Sequence, residues 1–297
     1  MRSRSRVCVA ILVAASFTGC GGGFSGVGVP ATGTTTNQFT ESVSASVGSY
    51  AILDLTTGKV EVAVTVPGLA TDPVYRSSKM VFRSIDVGSG LVGSIGGTFG
   101  AQGDEARTTG AMTRYWLAVF EVTQAQWRLV SSGAQPWTTV QPQSLLGVAA
   151  TGANKDQTPA VEISFTTAGT TLAAAGTRLG HKLALPTPIQ WEYACRAGST
   201  GSFSWGESRD DAVVRNYAVV SEVIDGVEGA RTVGGRAPNA LGFYDMHGNV
   251  WEFTNDGVLR GGSWKDTLSQ ARCANLGPAI DSSTAHLLVG MRPVLTP

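Results

Sequence analysis

The sequence has few charged residues and very little histidine, and these shortages exclude several classes of function. Charged residues make up 15% of the 297 residues, and the formal net charge is zero. Because no basic run occurs beyond the N-terminal segment, a nucleic acid is not an expected partner. The three histidines, His181, His247 and His286, lack the spacing of a zinc or iron site. The pattern G-x-S-x-G is absent, so a serine hydrolase of that type is unsupported.

Cysteine is also scarce, with four residues in the chain, and the first two lie in an N-terminal targeting segment. Residues 1–20 combine three arginines with the apolar run VCVAILVAASF and the tripeptide TGC. This pattern resembles a bacterial lipoprotein signal, in which cleavage falls before a cysteine, here Cys20, that then receives lipid. An ordinary secretory signal is the alternative. We therefore expect a lipid anchor at Cys20 and a location in the bacterial cell envelope, at the outer membrane or surface rather than the inner membrane.

The two remaining cysteines, Cys195 and Cys273, could form a disulfide, bind a metal or act as reactive thiols. In an oxidising envelope compartment, two leftover cysteines favour a disulfide. Closing a loop of this length would stabilise the fold by roughly 4–5 kcal/mol in the chain-entropy model. On the predicted helix that carries Cys195, Trp191 lies four residues earlier and therefore on the same face. If that face is buried, Cys195 points inward, as a disulfide requires.

Composition divides the chain into four segments. The targeting segment, residues 1–20, is followed by a Gly/Thr-rich stretch without apolar periodicity, residues 21–48, which we expect to be a flexible tether. Two alternating runs around TTGK predict a β-hairpin, and we expect residues 49–78 to form a small N-terminal appendage. The main domain is expected to cover residues 79–297.

Local capping signals predict three helices in the main domain. In EVTQAQWRLVSSG, Thr123 is the N-cap and Gln126 its capping-box partner. In LPTPIQWEYACRAG, Thr187 and Gln190 have the same roles. A Thr-rich pattern predicts a third helix at residues 164–180. After residue 200 regular periodicity fades, and so long a stretch with few elements needs stabilisation from disulfides or bound calcium.

Two sets of oxygen-bearing residues could bind calcium. The segment DMHGNVWE places Asp245 and Glu252 on either side of Gly248, and Asn216 and Asp225 form a second set upstream. Carboxylate, amide and carbonyl oxygens are the ligands that Ca²⁺ takes in proteins. Spacing alone does not distinguish these residues from the acidic residues of a solvated loop.

Several motifs occur together and in one order: EVTQAQW, PAVEISF, LPTPIQWEYACRAG, FSWGE, NALGFYDMHGNVWEFTND and VLRGGSW…RCA…GMR. Through them the chain resembles the formylglycine-generating enzyme family, also called the sulfatase-modifying factor family, over roughly residues 79–297. The resemblance implies an α+β domain related to the C-type lectin fold. It implies low regular secondary structure and structural calcium, and here a small β-hairpin segment precedes the domain.

The resemblance also implies roles for particular residues. Cys195 and Cys273 match a structural disulfide, and Trp251 and Ser263 match residues that line the oxidase pocket. Two calcium sites are implied: the side chains of Asp245 and Glu252 with the carbonyls of Gly248 and Val250, and the side chains of Asn216 and Asp225 with the carbonyls of Tyr217 and Val227.

One departure from the family pattern bears directly on activity. The active oxidases carry, after the RGGS motif, a pair of cysteines that bind copper(I) as soft thiolates. Here the segment after Trp264 reads KDTLSQAR, which has no cysteine, and Asp266 stands about where the first would be. A carboxylate is a hard ligand and a poor host for copper(I). The resemblance implies calcium as a cofactor, whereas copper is not expected here.

These observations favour a domain of this family that acts as a binding or structural module for a protein or glycan ligand, without formylglycine-generating oxidase activity. The alternative is an oxidoreductase of the same family that modifies a protein or small-molecule substrate through another metal arrangement. Trp251, Ser263 and Asp266 would then be its pocket residues. A pseudo-enzyme that regulates a true oxidase is a third hypothesis.

Overall fold

The computed structural model describes residues 49–86, 89–92, 108–137, 155–223 and 229–296. The predicted signal segment, the tether, Cys20, Asp225 and Val227 therefore lie outside the described residues. Among the described residues, no helix has both the length and the apolar character needed to cross a membrane.

The predicted hairpin is present, but it is built into the main sheet. Strand β1 (Tyr50–Asp54) pairs antiparallel with β2 (Val60–Ala63) and, on its other edge, with β3 (Lys79–Ile85). The side chains of Ala51 and Leu53 enter the same core cluster as those of the neighbouring strand. The expected boundary between an appendage and a domain beginning near Lys79 is therefore corrected, because backbone pairing is continuous across it.

A six-stranded sheet organises the described part of the chain, in the order β2–β1–β3–β6–β13–β7. Every neighbouring pair of these strands is antiparallel. The last strand in sequence, β13, lies between two strands that come much earlier. The remaining strands of the sheet are β6 (Tyr115–Ala118), β7 (Lys182–Ala184) and β13 (Val294–Thr296).

The three predicted helices are confirmed. Helix α1 (Gln124–Val130) and helix α3 (Pro188–Arg196) each begin with the complete capping box that the sequence indicates. Helix α2 (Phe165–Leu179) is capped by the Ser164 side chain and ends at Gly180, whose φ of +78° suits glycine. A fourth helix, α4 (Asp211–Tyr217), was not predicted; it begins at Asp210, whose side chain accepts a hydrogen bond from the Ala212 amide.

The rest of the described chain has short elements joined by irregular segments, which confirms the predicted α+β fold with low regular secondary structure. A three-stranded sheet has β10 (Trp251–Phe253) at its centre, antiparallel to β11 (Leu259–Arg260) and parallel to β12 (Val289–Gly290). Two further pairs are β4 (Ser89–Val92) with β5 (Thr108–Ala111), and β8 (Ala218–Val219) with β9 (His247–Gly248). Four 3₁₀ turns cover Pro73–Arg76, Lys155–Gln157, Ser221–Val223 and Leu268–Ala271.

Apolar side chains cover both faces of the large sheet. Alternate residues of β6 enter opposite clusters, since side chains alternate along a strand. Trp116 packs into the cluster that also contains Leu172 of α2 and Phe253 of β10. Leu117 packs into the cluster that contains Trp191 of α3 and both Cys195 and Cys273. The sheet thus supports two layers, and the candidate site residues lie in the layers and loops above it.

Candidate functional site

The loop predicted to bind calcium lies in the interior. Its turns use left-handed backbone at Asp245 (φ +57°), Gly248 (φ +83°) and Asn249 (φ +63°). The loop contains β9 and leads into β10, and both carboxylates are almost fully buried, with Asp245 4% and Glu252 1% exposed. Buried carboxylates need partners, so the donors around each one decide what the loop can bind.

Glu252 is occupied by donors from the chain itself. Both of its carboxylate oxygens receive hydrogen bonds from the Arg292 guanidinium, at 2.8–3.2 Å, and one of them receives the Trp191 indole N–H at 2.6 Å. Arg292 also donates to the carbonyl oxygens of Ala118, Val119 and Tyr244. A calcium ion at Glu252 would have to displace a guanidinium that is itself fully buried. Calcium binding at Glu252 therefore requires that these donors give way to the ion.

Asp245 and Glu121 are the other buried carboxylates near Arg292. Asp245 accepts a hydrogen bond from the Gly234 amide at 2.5 Å, and burial raises the pKa of its carboxyl to about 6. Glu121 accepts hydrogen bonds from the Asn249 side-chain amide and the Val250 amide, and burial raises its pKa well above the usual value. Within the described residues, no carboxylates belong to a cluster of three or more potential metal ligands. The calcium site at Asp245, Gly248, Val250 and Glu252 therefore stays a prediction.

The second predicted calcium set is described only in part. Asn216 and Tyr217 are the last two residues of α4. The Asn216 carbonyl accepts a hydrogen bond from the Ala237 amide at 2.7 Å, and the Tyr217 ring stacks on Trp205 with 5.3 Å between ring centroids. Asp225 and Val227 lie outside the described residues, so this site also stays a prediction.

The RGGS motif forms a closed turn. Gly261 and Gly262 have φ values of +92° and +78°, which glycine adopts without a steric penalty. The Asp266 carboxylate accepts hydrogen bonds from the Ser263 amide, at 3.0 Å, and from the Ser263 hydroxyl. The Asp266 carbonyl accepts the Ser221 amide at 2.9 Å. At the position expected of a copper-binding cysteine, the chain therefore has a carboxylate that holds its own turn together.

Trp251 is placed in a different environment from Ser263 and Asp266. Its side chain is buried in the large core cluster with Leu259 and Phe253. Gly277 lies against its ring so closely that an added Cβ there would be 2.8 Å from a ring carbon. Ser263 and Asp266 are joined by hydrogen bonds in their own turn, and the pocket predicted from Trp251, Ser263 and Asp266 stays a prediction.

The structure contains the disulfide predicted between Cys195 and Cys273, with 5.7 Å between their Cα atoms. Both residues are completely buried, and Trp191 lies in the same cluster, as the helix-face argument requires. His247 lies beside the disulfide, with its Nε2 3.8 Å from the Cys195 sulfur. Its Nδ1 is 2.8 Å from the Ala271 carbonyl, and burial lowers the pKa of its imidazole to about 4. The disulfide thus joins α3 to the segment after the RGGS turn.

A surface cleft of about 410 Å³ lies where three segments meet, and the sequence analysis did not anticipate it. Its lining is mainly apolar, and Leu276 on its rim is 51% exposed. The exposed carboxylate of Asp256 uses one oxygen for the Thr254 hydroxyl and the Val258 amide. The apolar run LGPAI in a segment without strand or helix periodicity was the available signal. The lining residues are Phe165, 256–258, 276–280 and Ser282.

Comparisons with known proteins agree with the fold. The family model described as a sulfatase-modifying factor enzyme 1-like domain matches residues 71–297. The inactive C-alpha-formylglycine-generating enzyme 2 of Mus musculus is 34% identical over 128 residues, covering 38% of this chain and 40% of that protein. The formylglycine-generating enzyme of Mus musculus is 31% identical over 144 residues, covering 46% of this chain and 35% of that protein.

A solved structure shares the fold over a larger part of the chain. The Treponema denticola variable protein 1 has a TM-score of 0.62 at 18% identity, covering 74% of this chain and 96% of that one. At this identity the likeness concerns the fold alone. The chain matches 40% or less of the length of the two curated relatives, so their activities do not transfer with the alignment.

Proposed function

The chain belongs to the family of sulfatase-modifying factor enzyme 1-like domains, and on that premise we propose that it is a lipid-anchored binding module of the bacterial cell envelope without formylglycine-generating oxidase activity. The observation that carries the proposal is the state of its sulfur atoms. Residues 71–297 contain two cysteines, Cys195 and Cys273, and both are used in one buried disulfide. Copper(I) prefers thiolates and thioethers, and the matched region has no free thiol to offer it.

The relatives by themselves do not decide between an active and an inactive protein. Identity to the mouse protein named inactive is 34%, and identity to the mouse formylglycine-generating enzyme is 31%. The residues after the RGGS motif are more informative. Asp266 offers a hard oxygen ligand that is hydrogen-bonded to Ser263, which counts against copper(I) at this place. The alternative of an oxidoreductase with another metal arrangement that involves Asp266 is addressed by the Asp266→Ala variant below.

The cleft supports a binding role, and its lining favours one chemical class of ligand over another. A concave surface with mostly apolar lining and a few polar groups is typical of ligand sites. A glycan would need several hydrogen-bonding groups, whereas the lining here is apolar apart from Asp256, Ser282 and backbone. The free oxygen of the exposed Asp256 carboxylate favours a positive charge nearby. We therefore favour a peptide ligand in which an apolar side chain lies next to a lysine or arginine.

The oxidase part of the proposal is tested with the full chain, copper(I), oxygen and a cysteine-containing peptide. A formylglycine-generating oxidase assayed beside it provides the positive control. We expect no conversion of the peptide cysteine to formylglycine by mass spectrometry. Copper-dependent conversion would contradict the proposal, and loss of that conversion in Asp266→Ala would establish the oxidoreductase instead.

The binding part is tested with two immobilised peptide libraries that differ at one position. In one library lysine follows an aromatic or aliphatic residue, and in the other glutamate does. We expect retention of the lysine library only, and a loss of about tenfold in affinity for Ala279→Trp, which fills the cleft. Ala212→Trp, at an exposed position of α4, is the matched control. Equal retention of both libraries, or an unchanged affinity of Ala279→Trp, would exclude the cleft as the ligand site.

The anchor and the calcium ions are separate parts of the proposal. Metabolic labelling with a fatty acid should label the chain, and Cys20→Ser should abolish the label while Cys8→Ser should keep it. For calcium, the melting temperature should rise in calcium chloride relative to EGTA, because a ligand that binds the folded state stabilises it. Equal melting temperatures would mean that Asp245 and Glu252 form an internal polar network only.

A further inference from the structure

One cluster in the described residues combines three potential metal ligands, and it is not a calcium set. The sulfur atoms of Cys195 and Cys273 and a ring nitrogen of His247 all lie within 4.8 Å of one another. All three residues are buried, with His247 2% exposed and both cysteines 0%. Two thiolates and an imidazole are ligands that zinc takes in structural sites. With the disulfide closed, however, each sulfur is bonded to the other and no such site exists.

The hydrogen bonds of His247 fix its tautomer. Nδ1 lies 2.8 Å from the Ala271 carbonyl oxygen, which can only accept, so Nδ1 carries the proton and donates. Nε2 therefore has the lone pair, and it lies 3.2 Å from the Ser204 amide and 3.8 Å from the Cys195 sulfur. A ring held by a carbonyl at one nitrogen, with the lone pair on the other, is the usual arrangement of a histidine that binds a metal. Here that lone pair accepts from the Ser204 amide and hydroxyl, and a metal ion would replace these two donors.

We propose that a chain folded with Cys195 and Cys273 reduced binds one zinc ion through these two thiolates and Nε2 of His247. Zinc and the disulfide then exclude each other at this place. A disulfide opens when a dithiol gives it two electrons and two protons and becomes a disulfide itself. The two protein thiols then release two protons as they bind Zn²⁺. Coordination adds no other redox change.

The surroundings suit such a complex. Two thiolates neutralise the charge of Zn²⁺. This favours binding because an uncompensated charge is costly to bury in an apolar cluster, which here also contains Phe243 and Met246. The nearby cation, Arg196, is paired with Glu192 at 2.8 Å. The sulfur atoms would have to separate to roughly 3.8 Å for tetrahedral zinc with ordinary zinc–sulfur bonds. The Ser204 hydroxyl, 3.0 Å from Nε2, is the polar side-chain group available nearby for the fourth ligand.

Burial also decides how the ion reaches the site. Since all three ligands are enclosed, zinc has to enter while the chain folds. The order of events therefore selects the product: folding before oxidation favours zinc, and oxidation before folding favours the disulfide.

The experiment uses the full chain with Cys8→Ser and Cys20→Ser, so that only the two relevant thiols remain. The protein is unfolded with a phosphine reductant and refolded without oxygen in zinc sulfate or cobalt chloride. We expect one zinc per folded chain by elemental analysis, two thiols that do not react until zinc is chelated, and a thiolate-to-cobalt absorption band. A reduced chain that folds only when zinc is present also supports the proposal.

The variants separate a ligand from a structural residue. His247→Gln should weaken zinc binding by more than the roughly 10–100-fold that loss of an outer-shell partner costs, whereas His286→Gln, at an exposed residue, should leave it unchanged. Unchanged zinc affinity of His247→Gln would overturn the proposal. If that variant does not fold, X-ray absorption of the unsubstituted zinc form decides: two sulfurs with one imidazole support the site, and any other ligand set overturns it. A reduced chain that folds without binding zinc, or stays unfolded with it, also overturns it.

Discussion

At the scale of single residues, two constraints meet at Gly248. Its φ of +83° lies in the left-handed region, and a Cβ added there would be 2.0 Å from the Val219 carbonyl oxygen. That carbonyl is held in place because it accepts the Asn249 amide at 2.9 Å. The resemblance explains Gly248 through a calcium-binding carbonyl, but the pairing of β8 with β9 already requires glycine at this position.

Replacing Gly248 by alanine should therefore lower the free energy of unfolding more than the same replacement at another glycine with a positive φ. Gly198 is the matched control, with φ of +92° and no atom near an added Cβ. We expect Gly198→Ala to lower the free energy of unfolding by about 1–2 kcal/mol, and Gly248→Ala to lower it by at least about 3 kcal/mol. Urea denaturation of both variants measures this. Equal losses of unfolding free energy in the two variants would show that β8 and β9 move apart easily and relieve the clash between the new Cβ and the Val219 carbonyl oxygen.

At the scale of elements, the β1–β2 turn has a local electrostatic origin. The Asp54 carboxylate accepts hydrogen bonds from the Thr56 and Thr57 amides, each at 2.9 Å, and from the Thr56 hydroxyl at 2.6 Å. The Thr56 hydroxyl and these amides lower the pKa of Asp54 to about 2 from a usual value of 3.8. The turn that sets the register of β1 therefore depends on an ionised carboxylate.

The lowered pKa gives a pH dependence with a defined sign. A carboxylate with a depressed pKa in the folded state stabilises the protein above its unfolded pKa, and this contribution is lost as the pH falls from about 4 to about 2. Because the hydrogen bonds of this carboxylate lie at the protein surface, we expect less than about 1 kcal/mol. Asp54→Asn should be less stable than the unsubstituted protein at pH 7, and the difference should disappear as the pH falls below about 2, measured by urea denaturation. Glu61→Gln, an exposed carboxylate on β2, should show no such convergence, and a pH-independent Asp54→Asn difference would refute the electrostatic origin.

Elements also show what the sequence could predict. Capping boxes at Thr123 and Thr187 act within one turn, so both helix starts were predicted correctly. Helix α4 has one side-chain cap and one buried residue, Val214, and such a short element has almost no periodic signal. The hairpin was predicted, but its pairing with β3 was not, because register between strands depends on side chains from different parts of the sequence.

The candidate site was less predictable for the same reason. The motif around Glu252 predicts a metal ligand. Its hydrogen-bond partner Arg292 lies 40 residues later in the sequence, so the motif alone does not show that the carboxylate is already paired. The pairing of Cys195 with Cys273 could be predicted because few cysteines limit the alternatives. The cleft depends on how Phe165 and two irregular segments come together, and no local pattern encodes that arrangement.

At the scale of the whole molecule, the disulfide spans the widest covalent loop among the described residues. It joins residues 78 apart in sequence, and in the chain-entropy model such a loop stabilises the fold by roughly 4–5 kcal/mol. Cys195→Ala with Cys273→Ala should lower the free energy of unfolding by several kcal/mol, measured in urea without reductant. Cys8→Ala with Cys20→Ala is the control and should leave it unchanged. A loss below about 1 kcal/mol would mean that packing alone holds α3 to the segment after the RGGS turn.

The position of β13 has a consequence for synthesis. Residues 294–296 form the strand that fills the gap between β6 and β7, and they are translated after all the other strands. A nascent chain thus carries two unmatched strand edges until residues 294–296 have been made. Until then the sheet is open between β6 and β7, and a chain stalled or clipped just before Val294 would expose those edges to its neighbours.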